Sequence, residues 1–242
     1  MEAKKVILVT GGARGIGASI VKQMAEAGWA VCLCYRYSKE SAETLENAFT
    51  DVWAIRADVR NRKEVEAMVE QCLNHFGRID AVVNNAGIAQ SRLFTDITAD
   101  EWDEMLDTHL KGAFNVTQSV LPHMISEKRG KIINIASIWG MVGASCEVHY
   151  STAKAGLIGM TKALAKEVGP SNIQVNCVAP GIIDTDMMAE FSEEDRSVLR
   201  DETPLMRLGT PEDVAYVVAF LASERASFIT GQVISPNGGF VI

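Results

Sequence analysis

The chain has 242 residues, 48% hydrophobic and 22% charged, with a formal net charge of −8. A chain of this size can bury roughly 70% of its unfolded surface, which with this composition excludes a disordered, collagenous or linker-dominated protein. The acidic balance opposes a phosphate-tracking surface and no apolar run approaches the ~18 residues that span a bilayer, so no nucleic acid, no membrane and a cytoplasmic location are expected.

In chain order, β-branched runs bounded by turn residues predict strands at 5–10, 30–35, 52–57, 81–84, 131–136, 174–178 and 232–235. Stretches of helical period lie between most of them, at 15–27, 62–75, 101–126, 153–168 and 211–221. Such alternation predicts an α/β chain: a doubly wound parallel sheet of about seven strands with helices on both faces. The near-continuous apolar character of the strands agrees, because a strand buried on both sides shows no polar face. No repeat or linker interrupts residues 1–242, so one domain is expected. Residues 182–205, rich in Asp, Glu and Met, break the alternation and are expected to form an irregular substrate lid, with a solvated surface helix as the alternative. The five cysteines, Cys32, Cys34, Cys72, Cys146 and Cys177, include no C-x-x-C pair and are expected to be reduced, with no metal.

The first strand runs directly into Thr10-Gly11-Gly12-Ala13-Arg14-Gly15-Ile16-Gly17, and a helical pattern follows at once. Strand, glycine turn and helix together make a phosphate cradle, in which glycines admit the backbone to a pyrophosphate and the helix N-terminus faces its charge. This is the Rossmann-type arrangement, although the spacing G-x-x-x-G-x-G departs from the common G-x-G-x-x-G. The second strand ends Cys34-Tyr35-Arg36-Tyr37 with no carboxylate before Glu40. An arginine there suits a 2′-phosphate, and Arg14 adds a second guanidinium, so NADPH is expected over NADH.

Tyr150 and Lys154 are spaced i, i+4 on one helix face, where the cation is expected to lower the phenol pKa and make it a usable acid. Ser137, 13 residues before Tyr150 at the end of the fifth predicted strand, supplies a hydroxyl at the carboxyl edge of the sheet.

With these segments, and with Asp58-Val59, Asn84-Asn85-Ala86-Gly87 and Pro180-Gly181-Ile182-Ile183-Asp184-Thr185, the chain resembles a classical short-chain dehydrogenase/reductase over essentially its whole length. The resemblance implies that Asp58 and Val59 bind adenine, that Asn85, Ala86 and Gly87 support the cofactor, and that Thr185 contacts the nicotinamide amide. It implies that Ser137 holds the substrate carbonyl, Tyr150 donates the proton, and Lys154 holds the ribose. It also implies a homotetramer with 101–126 and 153–168 at its interfaces.

The family places an asparagine of the proton relay just ahead of the Gly-x-Phe that is here Gly112-Ala113-Phe114, and in that neighbourhood this chain has His109. Histidine could keep the relay, with a pH dependence near its ~6.5 pKa, or simply pack in the helix. The segment from Phe220 and the run Asn237-Gly238-Gly239 resemble β-ketoacyl-acyl-carrier-protein reductases, which implies a 3-oxoacyl thioester, on a carrier or as a small molecule. The loop Ser137–Tyr150 also resembles the reductases of the 5-aminopentanone modification on elongation factor P, where Glu147 could pair with a substrate ammonium. Met187 is a candidate substrate contact in the lid. A non-catalytic NADP-binding sensor or scaffold is the remaining alternative. His75 suits a helix C-terminus, while His123 and His149 have no evident role.

Overall fold

The computed structural model describes residues 4–188 and 191–242; the Met187 side chain lies outside the described residues. Seven strands, β1 (Val6–Thr10), β2 (Ala30–Tyr35), β3 (Val52–Arg56), β4 (Ala81–Asn84), β5 (Gly130–Ile135), β6 (Ile173–Val178) and β7 (Val233–Ile234), form one parallel sheet in the order β3-β2-β1-β4-β5-β6-β7. The order reverses between β1 and β4, and such a switch point opens a crevice at the carboxyl edge.

The helices are α1 (Gly15–Glu26), α2 (Lys39–Ala48), α3 (Arg62–Phe76), α4 (Ala99–Leu106), α5 (Gly112–Glu127), α6 (Trp139–Val142), α7 (Val148–Val168), α8 (Glu193–Glu202) and α9 (Pro211–Ala222). Strand side chains alternate between two cores. Ile7, Val9, Val83 and Ile133 meet α1, α2 and α9 on one face, whereas Leu8, Val82, Ile132 and Val175 meet α3, α5 and α7 on the other. Each fully buried side chain of this size contributes about 1.5–3 kcal/mol of transfer free energy.

Three sequence expectations change. The helix expected over 101–126 is interrupted by a π-turn at Asp107–Lys111, which joins α4 to α5 and carries His109 inward. The 182–205 segment is not irregular throughout. Ser192 and Asp195 form a capping box that starts α8, and Arg196 ties the helix back to Asp184 at 2.7 Å. Helix α2 was not expected, because its ten residues bury only Ala42 and Leu45 and give a weak apolar stripe.

Candidate active site

Side-chain caps mark which helix ends are finished internally. Asn61, Thr98, Ser192 and Thr210 cap α3, α4, α8 and α9, whereas α1 and α7 begin at Arg14 and Glu147 with no side-chain cap. The N-termini of α1 and α7 follow the glycine turn and the Ser137–Glu147 loop, so their first N–H groups remain for a ligand or solvent.

The glycine turn after β1 is held from below. Gly12 N–H donates to the Cys34 carbonyl at 3.0 Å, and Asn85 Nδ2 donates to the carbonyls of Thr10 and Gly11 at 2.9 and 3.1 Å. The Thr10 hydroxyl accepts from the N–H groups of Asn85 and Ala86, both at 3.0 Å, which locks the turn after β4 against it. Gly11 and Gly15 have φ of +62° and +50°, values that favour glycine, and a methyl at Gly17 would strike the Gly11 carbonyl. Ile16 lies in the first turn of α1, and Thr185, after Pro180-Gly181, stands about 3.6 Å from where a Cβ on Gly15 would be. A backbone cradle with a free helix end fits a dinucleotide pyrophosphate.

At the adenosine end, Asp58 is engaged by two arginines. Arg60 grips this carboxylate with Nε at 3.1 Å from both oxygens and a terminal nitrogen at 2.8 Å, and Arg36 Nε lies 2.9 Å away. Partial burial pushes the Asp58 pKa up, but the bonds and charges of Arg60 and Arg36 outweigh it and leave it lowered. Asp58 is therefore already occupied by two guanidiniums, and Arg36 by Asp58 and by stacking on Tyr37 at 4.3 Å. Val59 is buried beneath Gly112, and its carbonyl accepts from Asn115 at 2.9 Å. Asn115 was missed in the sequence because nothing in its helical spacing separates it from packing residues.

Ser137 follows β5, and its hydroxyl accepts the Trp139 N–H at 3.2 Å. Lys154 is buried, donates to the Ile135 carbonyl at 2.8 Å, and lies 5.4 Å from the centroid of the Tyr150 ring. Burial pushes its pKa down to about 8. The expected acidification of Tyr150 does not occur in the unliganded protein: burial first, and the Glu147 charge second, push the phenol up to about 12, with Ser137 opposing. Burial also raises the Glu147 pKa, and no ion pair forms at this carboxylate among the described residues.

His109 packs edge-on against Tyr150 at 5.3 Å and lies 2.7 Å from the Ile88 carbonyl through Nε2, while its buried Nδ1 has no partner. Its ring fills the space beside Gly87. Burial and the Lys154 charge hold its pKa well below 6.5, so the expected titration near that value is corrected: His109 is neutral at physiological pH. His149 is buried and meets Gln90 at 3.1 Å, which in turn donates to Glu101 at 2.6 Å. His123 accepts the Ile79 N–H at 3.3 Å and His75 stacks on Trp53, both away from the crevice. Of the Met187-Met188 pair, Met188 is buried and the Met187 side chain lies outside the described residues. The buried chain Thr117–Asn84–Asn134–Thr161 crosses β4 and β5 behind the site and was also unforeseen.

A dinucleotide cradle at a topological switch point, with serine, tyrosine and lysine gathered beside it, defines a carbonyl oxidoreductase that draws its reducing power from a nicotinamide. Residues 11–241 match the family described as enoyl-(acyl carrier protein) reductase. The chain is 44% identical to the 3-oxoacyl-[acyl-carrier-protein] reductase of Staphylococcus aureus, covering 99% of each. It is 44% identical to the reductase of the same name from Aquifex aeolicus over 99% of each, and 42% identical to that of Thermotoga maritima over 98% of each. The chain belongs to the short-chain dehydrogenase/reductase family and is a ketoreductase. No described helix is long and apolar enough to cross a membrane, and no cluster of metal-binding side chains occurs among the described residues.

Proposed function

We propose that this protein reduces the ketone of a 3-oxoacyl thioester, carried on acyl carrier protein, to the secondary alcohol with NADPH. The observation that carries the reading is the grouping of Ser137, Tyr150 and Lys154 beside the glycine cradle, supported by relatives whose names specify this substrate. The cofactor, when bound, supplies a hydride to the carbonyl carbon. Ser137 holds the carbonyl oxygen, and Tyr150, protonated at neutral pH by its raised pKa, delivers the proton to it. Lys154, still largely cationic at pH 7, stabilises the phenolate left behind and is the residue to hold the ribose. The uncapped N-terminus of α7 adds favourable potential at Tyr150. His109, neutral, with Nε2 held against the Ile88 backbone and Nδ1 left without a partner, fits a relay that resupplies Lys154.

Gly11, Gly15, Ile16, Gly17, Asn85, Ala86, Gly87, Pro180, Gly181 and Thr185 line the cofactor path, with Arg14 and Arg36 as the cations for the 2′-phosphate. Residues 182–205 act as the lid. The relatives lend the amino-ketone alternative no support, and Glu147 then acts on Tyr150 by its charge and not on a substrate ammonium. The protein works in the cytoplasm; it assembles as a homotetramer, a reading supported by the groove of Leu106, Leu110, Phe114 and Met160, flanked by Asp107 and Lys111, where α4, the π-turn, α5 and α7 meet. The test is NADPH oxidation with an acetoacetyl thioester on acyl carrier protein and on coenzyme A, with an amino ketone in its place, and with NADH substituted for NADPH. Fastest turnover with NADPH and the carrier substrate is expected; equal turnover of an amino ketone, or a preference for NADH, overturns the assignment.

A further inference from the structure

We propose that Arg60 sets the preference for the phosphorylated cofactor, by holding the Asp58 carboxylate so that Arg36 is free to take the 2′-phosphate. The inference rests on the NADPH reading above and adds to it a positioning residue that does not itself touch the cofactor.

The four charged groups at the adenosine end form a chain: Arg36, Asp58, Arg60 and Glu104. Asp58 is its hub. Arg36 Nε lies 2.9 Å from Oδ2, whereas Arg60 engages both oxygens in a fork, adds its own backbone N–H at 3.0 Å, and is anchored at its far side by Glu104 at 2.9 Å. The backbone of the turn is fixed independently, since Glu64 accepts the Asp58 N–H at 2.9 Å and Asn115 donates to the Val59 carbonyl. The Arg60 side chain therefore does little to hold the turn itself, and its fork serves mainly the carboxylate.

Two arginines and two carboxylates sum to zero charge. Remove the guanidinium of Arg60 and the group carries −1, with Arg36 left as the only cation on Asp58. A dianionic 2′-phosphate would then have to pull Arg36 away from an uncompensated carboxylate and sit close to that carboxylate. With Arg60 in place, Asp58 keeps its bidentate partner when Arg36 turns away, so releasing Arg36 strands no charge. Arg36 is about one-third exposed and already stacked on the exposed Tyr37 ring, which holds its guanidinium at the crevice rim.

The experiment compares wild type, Arg60→Gln and the double variant Asp58→Asn/Arg60→Gln. Binding of adenosine 2′,5′-bisphosphate and of AMP to the unliganded protein is measured by calorimetry, and KM and kcat are measured with NADPH and NADH. Arg60→Gln is expected to weaken the bisphosphate and raise the NADPH KM by about tenfold, the scale of one charge-assisted hydrogen bond, with AMP, NADH and kcat changed less than about threefold. Removing the carboxylate in the double variant is expected to restore most of the loss. If Arg60→Gln does not fold, Arg60→Lys carries the same test, with a smaller loss confined to the phosphorylated ligands. Equal losses for phosphorylated and unphosphorylated ligands, or no recovery in the double variant, overturn the proposal, the latter by pointing to direct contact between Arg60 and the phosphate. A wild type that prefers NADH would instead overturn the cofactor reading itself.

Discussion

Lys154→Met should make the unliganded protein more stable near neutral pH while removing its activity. The ammonium is buried, with its pKa depressed from 10.5 to about 8. At 1.36 kcal/mol per unit, that depression is a penalty of about 3 kcal/mol on the folded state at pH 7. Methionine matches much of the lysine stem but leaves the Ile135 carbonyl without its 2.8 Å partner, a loss of about 1–2 kcal/mol, so the net gain is about 1–2 kcal/mol. The pH dependence is independent of that packing balance. Between pH 8 and 10.5 the unfolded lysine binds more protons than the folded one, so wild-type stability gains on the variant as pH rises through this window. From pH 7 to 9.5 the difference should shift by about 2 kcal/mol toward wild type. Urea unfolding of both proteins at several pH values, without cofactor, reads this directly. A difference that stays constant with pH, or a variant that loses stability at pH 7 by more than about 1 kcal/mol, refutes the reasoning.

Other expectations follow from the same site. Gly17→Ala drives a methyl into the Gly11 carbonyl and Asn85, and should cost about 1–3 kcal/mol in thermal unfolding together with most cofactor affinity in a titration. His109→Ala should lower turnover by about tenfold or more, while the wild-type pH–rate profile shows no step near 6.5, because burial keeps this ring neutral; a step there that vanishes in the variant would contradict it. Glu147→Gln removes a charge that helps to raise the Tyr150 pKa, so the alkaline limb of the pH–rate profile should move to lower pH.

The strands were legible because the inner ones are short apolar runs buried on both faces and the half-buried edge strands β3 and β7 are still bounded by turn residues, and their bounds shift by only a residue or so in the structure. The glycine turn was legible for a related reason, since its backbone tolerates almost no alternative. What spacing could not show was how charges pair across the fold. Asp58 and Arg60 are near neighbours in the chain, but Arg36 and Glu104 arrive from 22 and 44 residues away, and only the folded sheet edge reveals that Asp58 is already occupied. The phenol pKa failed for a similar reason: i, i+4 spacing places Lys154 near Tyr150, but its ammonium turns to the Ile135 carbonyl and burial controls both groups. The π-turn at Asp107–Lys111 has helical periodicity on either side and so looked like part of one long helix.

The most direct test of the account is the reduction of an acetoacetyl group on acyl carrier protein by wild type and Tyr150→Phe, followed by NADPH absorbance and by cofactor binding. Wild type should consume NADPH and form the 3-hydroxyacyl product, and the variant should bind NADPH within about threefold of wild type while turnover falls by at least about a hundredfold, the scale of a lost general acid. A wild type that binds NADPH without oxidising it, or a phenylalanine variant that retains turnover, would contradict the assignment of Tyr150 as the proton donor of a ketoreductase.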